Sequence, residues 1–138
     1  MGSTDQIKVP AGSKTIDVAG KTIMPGLIDI HAHTGSSNQD TYSQQNWAFL
    51  TNLAFGVTTT YDPSNNSQMI FAEAELQRKG ALLAPRVLST GTILYGAEGD
   101  FKTVIDKYED AVSAIKRTAA WGAIGVKSYN QPRREQRQ

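Results

Sequence analysis

The sequence predicts an α/β fold in which parallel strands alternate with helices. Short apolar or β-branched runs alternate along the chain with stretches whose apolar residues recur at helical spacing. Glycines follow the helical stretches at Gly56, Gly80 and Gly122, where helices commonly end. This succession of strand, helix and strand favours parallel strands joined by right-handed crossovers.

The strands are expected at four places in the chain: 27–31, 57–61, 86–90 and 124–129. The first follows a Pro25-Gly26 turn, and its apolar run is broken by one acid, Asp29, as is typical of a parallel strand covered on both faces. The second is a β-branched run that Asp62-Pro63 closes.

Three helices are expected, at 44–55, at 67–79 after a cap at Asn66 or Ser67, and at 104–121. The apolar positions that define them are Trp47, Phe49, Leu50, Leu53 and Ala54, then Met69, Phe71, Ala72 and Leu76, then Ile105, Tyr108, Val112, Ile115 and Ala119. Residues 91–100 contain three glycines and are expected to form a loop that lines a substrate site or has no role.

Residues 1–24 differ from the rest of the chain and are expected to form a short β arm. Its β-prone pieces lie at 7–9, 15–18 and 22–24. Pro10-Ala11-Gly12 and Gly20 separate these pieces, and the spacing predicts small antiparallel strands. Residues 25–138 would then form the α/β domain.

The composition limits the classes of partner. With 39% hydrophobic and 20% charged residues, the chain has the make-up of a globular domain. Its net charge of +1 favours neither nucleic acid nor an anionic membrane as a partner. It contains no cysteine, so disulfides and thiolate metal sites are excluded, and no apolar run is long enough to span a membrane.

Both histidines of the chain, His31 and His33, lie at the end of the first strand. Side chains two residues apart on a strand point to the same face, so the two imidazoles can bind one divalent metal. Ligands bind at the carboxyl ends of strands in parallel sheets, which favours this interpretation. A hydrogen-bonded structural role for each histidine is the alternative.

The segment 18–33, VAGKTIMPGLIDIHAH, resembles the opening of the metal-dependent amidohydrolase superfamily, most closely its imidazolonepropionase-like and Xaa-Pro dipeptidase-like branch. The resemblance continues through GVTTTYDPS (56–64), PRVLSTG (85–91) and GAIGVKSYNQPRREQRQ (122–138). It implies a (β/α)8 TIM-type barrel, which needs about 250 residues, so this chain would supply the first half, about four βα units. The arm would belong to a β-sandwich that the two ends of the whole protein build together.

The same resemblance implies a metal centre. His31 and His33 would bind one or two divalent ions, zinc foremost, and a carbamate formed from Lys127 and CO2 would bridge them. The apolar neighbours of Lys127 make a charged ammonium costly there, and an ion pair with a carboxylate is the alternative role. Asp29, Asp62 and Tyr129 are expected to line the site, with Asp29 supporting a histidine or closing the barrel floor.

The implied activity is hydrolysis of a carbon-nitrogen bond in a small amide, peptide or cyclic amide by metal-activated water. The family's remaining ligands follow the fifth, sixth and eighth strands, so a complementing C-terminal half or self-association is expected. An inactive fragment or assembly module is the alternative. Residues 29–34, DIHAHT, also resemble phosphoesterases of the polymerase-and-histidinol-phosphatase type, against which the upstream IDVAGKTIMPG argues.

Overall fold

A computed structural model describes residues 2–3, 6–34, 43–96, 102–129 and 134. The elements in chain order are β1 (Leu27–Asp29), α1 (Trp47–Ala54), β2 (Val57–Asp62), α2 (Ser67–Arg78), β3 (Arg86–Ser89), β4 (Ile93–Tyr95), β5 (Lys102–Val104) and α3 (Tyr108–Trp121). One parallel sheet has the order β1-β2-β3, and β4 pairs with β5 in a second parallel sheet. The predicted α/β class with parallel strands is confirmed, and the described strands do not close into a barrel.

The three-stranded sheet forms where β-branched and apolar residues are concentrated. β2 carries three consecutive threonines, whose branched side chains favour the extended backbone. Asp29 pairs with Thr60, and Asp62 pairs with Ser89, so the carboxyl ends of the three strands meet at one edge. Gly26 precedes β1 because a Cβ at that position would overlap the side chain of Thr58 on the neighbouring strand.

Asparagine side chains begin the first two helices. Asn46 Oδ1 accepts the backbone N–H of Ala48, and Asn66 Oδ1 accepts that of Met69. The predicted glycine at each helix end is confirmed, since Gly56 and Gly80 have positive φ angles of 82° and 73°. None of the helices in the described part of the chain is long and apolar enough to cross a membrane.

The hydrophobic core lies between the helices and one face of the three-stranded sheet. Its members come from α1, α2, β3 and the connection before β3: Phe49, Ile70, Phe71, Ala74, Leu82, Ala84 and Val87. The predicted helix faces are confirmed only in part. Trp47, one of the apolar positions that define α1, is 80% exposed, and Leu76, expected on the buried side of α2, is exposed as well. Met69 and Phe71 of α2 are buried as predicted, and Ile70 and Ala74 of the same helix are buried with them.

The predicted strands of the N-terminal arm are absent from residues 6–26. Turns form at the predicted places, with Ser13 N–H donating to Pro10 at 3.2 Å and Lys21 N–H donating to Val18 at 2.9 Å. The pieces between them have no regular secondary structure and are exposed. A strand requires a hydrogen-bonded neighbour, and no described residue pairs with this arm, so the β-prone sequence alone does not make a sheet.

The region after β3 also differs from the prediction. β4 lies inside residues 91–100, which were expected to form a loop. β5 ends at Val104, the residue at which the third helix was expected to begin. The helix begins only at Tyr108, because the carboxylate of Asp110 accepts the backbone N–H of Lys107 and stabilises the helix start there. Short runs such as Ile93–Tyr95 satisfy both periodicities, so pairing decides their structure.

The predicted fourth strand at 124–129 is not a strand in the structure. It makes one isolated parallel bridge, between Leu94 and Ser128, and Ile124 N–H donates to the Ser89 carbonyl at 3.4 Å. The segment therefore runs alongside the end of β3 and along β4 without a continuous ladder. Gly125 lies close to the hydroxyl of Tyr61, where a side chain would be crowded.

Candidate metal centre

The two histidines lie where the carboxyl ends of the parallel strands meet. His31 and His33 follow β1, while Asp62 and Ser89 are the last residues of β2 and β3. Parallel pairing with α1 and α2 as crossovers brings these strand ends together. Ligands of open α/β sheets bind at this edge.

The imidazoles of His31 and His33 lie side by side, as expected from their spacing. Their ring centroids are 5.2 Å apart, and the ring planes are nearly perpendicular at 85°. Two imidazoles bound to one tetrahedral zinc at the usual Zn–N distance have centroids about 5 Å apart. The spacing of this pair therefore fits a single divalent ion of zinc-like coordination.

Asp62 orients His33. Its Oδ1 lies 3.0 Å from His33 Nδ1, and the carboxylate is fully buried whereas the histidine side chain is 52% exposed. A carboxylate only accepts hydrogen bonds, so Nδ1 donates the proton of this bond, and in a neutral imidazole Nε2 then carries the lone pair. Metal-binding histidines are commonly held in this way, with one ring nitrogen bonded to an oxygen and the other available to the metal.

The carboxylate of Asp62 is itself held by the residues that follow β2. Ser64 N–H donates to Oδ1 at 3.0 Å, and the Asn65 side-chain amide donates to Oδ2 at 2.9 Å. The backbone carbonyl of Asp62 accepts the Ser89 hydroxyl at 2.7 Å. Both oxygens of the side chain and the main chain are thus fixed, so Asp62 is a rigid support for the exposed imidazole.

Asp29 acts on the backbone of the site. Its Oδ1 accepts the backbone N–H of His31 at 2.9 Å. This bond stabilises the backbone conformation of the segment after β1, which carries both imidazoles. Asp29 was expected either to support a histidine or to close the barrel floor. In the structure its carboxylate contacts His31 through the backbone N–H of that residue.

No hydrogen bond or ion pair joins Lys127 to His31 or His33 in the described ranges. The ammonium of Lys127 lies 5.6 Å from the ring centroid of Tyr129, and Tyr129 packs against Tyr95. The structure thus brings together the two histidines, Asp29 and Asp62. It places Lys127 and Tyr129 in contact with each other.

Comparisons with protein-family models, curated proteins and solved structures find no significant match.

The donor set of the described residues fits part of a metal centre. Catalytic zinc ordinarily has three protein ligands and a water. Among residues 2–3, 6–34, 43–96, 102–129 and 134, no group of three or more histidine or acidic side chains is arranged to hold a metal. The histidine pair supplies two imidazole ligands, and a third ligand must come from another group.

Sequence reasoning missed the residues that fix this edge. Asn65 holds Asp62, and the Asn46 side chain donates to the Thr34 carbonyl at 2.9 Å, which attaches the segment after His33 to the start of α1. The available signals were local. An aspartate at the end of a strand accepts N–H groups two residues on, and an asparagine before a helical run is a common cap.

Proposed function

We propose that this chain is the N-terminal part of a (β/α)8 metal-dependent hydrolase that cleaves carbon-nitrogen bonds. The observation that carries the proposal is the pair His31 and His33 at the carboxyl edge of a parallel sheet, with His33 oriented by the buried Asp62. A structural role for both histidines explains this arrangement less well, because the imidazole of His33 is half exposed while its carboxylate partner is buried.

The order of elements supports the barrel part of the proposal. β1, β2 and β3 are adjacent in chain order, parallel, and joined through α1 and α2, as successive βα units of a barrel are. Ile124 and Ser128 place the next segment beside β3 and β4, where a fourth unit would continue the sheet. The proposed site lies at the end of the strands that holds the active sites of such barrels.

In this proposal the chain's own residues bind and orient. His31 and His33 hold the ion, Asp62 keeps the proton on His33 Nδ1, and Asp29 fixes the backbone of His31. A zinc-like ion bound there would lower the pKa of a bound water and polarise the scissile carbonyl. The third ligand comes from carbamylated Lys127 or from a complementing C-terminal half. The substrate class is a small amide, peptide or cyclic amide.

Zinc binding tests the histidine pair. We expect His31→Ala and His33→Ala each to weaken zinc binding by at least about tenfold, because a lost ligand costs no less than a lost supporting group. The measurement is competition against a chromophoric chelator. The matched control is Asp17→Ala, which removes an exposed carboxylate that accepts the N–H of the nearby Ala19. Equal zinc affinity in all four proteins would overturn the assignment.

Activity separates the proposal from its alternatives. The chain is assayed with zinc on amides, dipeptides, lactams and phosphate monoesters. Turnover of the first three classes that disappears in His31→Ala supports the hydrolase. Turnover of phosphate esters alone supports the resemblance to phosphoesterases. Zinc binding without any turnover supports the inactive fragment or assembly module.

Self-association is the second candidate role, and the exposed apolar residues in β1 and directly after it favour this role. Ile28 is 65% exposed and Ile30 is 75% exposed, and among described residues β1 has a strand neighbour on one side only. Such an edge is a template for pairing with another chain. We expect dimers or larger species in size-exclusion chromatography with light scattering, and a shift towards monomer in Ile28→Lys. Leu83→Lys, at an exposed position outside the strands, should not shift the distribution, and a folded wild-type monomer at micromolar concentration would contradict the prediction.

A further inference from the structure

Two lysines and two tyrosines form a cluster beside the second sheet. The rings of Tyr95 and Tyr129 have centroids 5.6 Å apart and cross at 67°. The ammonium of Lys102 lies 4.7 Å from the Tyr95 centroid and 5.8 Å from the Tyr129 centroid. The ammonium of Lys127 lies 5.6 Å from the Tyr129 centroid. Two positive charges are thus held around one pair of rings, which we call the tyrosine–lysine cluster.

The pairing of the strands explains why these side chains meet. Lys102 of β5 is paired with Ile93, two residues before Tyr95 on β4, so Lys102 and Tyr95 lie on the same face. Ser128 bridges Leu94 from the other side of β4. The neighbours of Ser128, Lys127 and Tyr129, therefore project to the face that carries Tyr95. The backbone brings all four side chains to one face, and the ring contacts agree with it.

The two ammonium groups of this cluster are held in place by aromatic rings and not by carboxylates of the described residues. Neither Lys102 nor Lys127 makes an ion pair or hydrogen bond with the described residues, and both ammonium groups lie near the tyrosine rings instead. A cation over a tyrosine ring within about 6 Å is attracted to it but keeps its full charge. Two ammonium groups around Tyr129 also repel each other. A bound anion would relieve this repulsion and use donors that are already in place.

We propose that the tyrosine–lysine cluster binds a small oxyanion, a carboxylate or phosphate group, between the ammonium groups of Lys102 and Lys127. Each ammonium offers three N–H donors, and compact ammonium charges bind phosphate and carboxylate oxygens well. The tyrosine rings hold the lysine heads near the ligand and offer an aromatic surface to its organic part. The site uses Lys127 as an ammonium, so a carbamate on that residue would abolish it.

Inorganic phosphate and acetate are the probes, titrated into the full chain in bicarbonate-free buffer at constant ionic strength and followed by NMR shifts of the backbone amides. We expect saturable shifts at residues 95, 102 and 127–129. Lys102→Gln and Lys127→Gln should each weaken phosphate binding about tenfold, since a hydrogen bond to a charged group contributes that much. The matched control, Lys116→Gln, removes an exposed lysine of α3 and should leave binding unchanged.

Further variants separate the site from a general effect of charge or folding. Lys102→Arg keeps the charge and should retain most of the affinity, and circular dichroism shows whether each variant is folded. Equal weakening in Lys116→Gln, or shifts spread over every lysine without saturation, would overturn the proposal. Zinc affinity is measured on the same proteins. Loss of zinc binding in His31→Ala with phosphate binding intact shows that the anion site does not depend on the histidine pair, so the failure of one proposal can be told from the failure of the other.

Discussion

Replacing Phe49 by alanine is expected to lower the free energy of unfolding by about 3 to 5 kcal/mol, the usual cost of truncating a buried phenylalanine. Phe49 is fully buried on α1 and belongs to the core cluster with Ile70 of α2 and Val87 of β3. Its ring therefore lies in the core to which the sheet and the second helix both contribute. Since whole domains are stable by about 5 to 15 kcal/mol, this change would remove a large share of the total.

Urea unfolding followed by circular dichroism measures the loss. Phe55→Ala is the matched control, because Phe55 directly follows the same helix and is 78% exposed. We expect its effect to stay within about 0.5 kcal/mol, as for other exposed positions. A similar loss in both variants, or none in Phe49→Ala, would show that α1 does not pack on the sheet as described.

The sequence predicts the three-stranded sheet well because local and tertiary preferences agree there. The β-branched run of β2 favours an extended backbone. β2 is also the central strand of the sheet, where it pairs with both β1 and β3. Asn66 and Gly80 mark the ends of α2 through hydrogen bonding and a positive φ angle, which are properties of single residues. Elements defined by such local signals can be placed without knowledge of their neighbours.

The arm and the fourth strand show the limit of that reasoning. Ile7, Val9 and Ile16 are β-prone, but β structure depends on a partner strand, and periodicity cannot show whether a partner is present. The same applies to 124–129, where one bridge to Leu94 replaces the expected ladder. Conversely, β4 pairs with β5, and this non-local contact makes a strand of residues that local signals assign to a loop.

In the candidate site, too, the local features could be predicted and the features that depend on strand pairing could not. His31 and His33 are two residues apart just after β1, so the closeness of their rings could be predicted from local spacing, although β1 itself ends at Asp29. The bond between His33 and Asp62 joins residues 29 positions apart and depends on strand pairing, so the sequence indicated only that Asp62 lies near the site. The contact between the rings of Tyr129 and Tyr95 likewise depends on how 124–129 meets β4.

Asp62→Ala is expected to destabilise the fold by about 2 to 4 kcal/mol, because buried donors that lose their acceptor cost about 1 to 3 kcal/mol each. The Ser64 N–H and the Asn65 amide both donate to this carboxylate, and Asn65 is buried. Asp17→Ala is the control, since its carboxylate is exposed and accepts one local N–H. Urea unfolding should show a clear loss for the first variant and less than about 1 kcal/mol for the second.

Asp62→Asn distinguishes the orienting role of the carboxylate from its structural role. Asparagine keeps the shape and one acceptor oxygen, so we expect a smaller loss of stability than in Asp62→Ala but zinc binding weakened by about 10-fold to 100-fold. Nitrogen-15 NMR of His33 provides the decisive signal, because the wild-type ring should carry its proton on Nδ1, and the variants should shift towards the Nε2 form. If the tautomer and zinc affinity stay unchanged while stability falls, Asp62 supports only the fold. If they change together in Asp62→Asn, the buried carboxylate is what presents Nε2 of His33 to the metal.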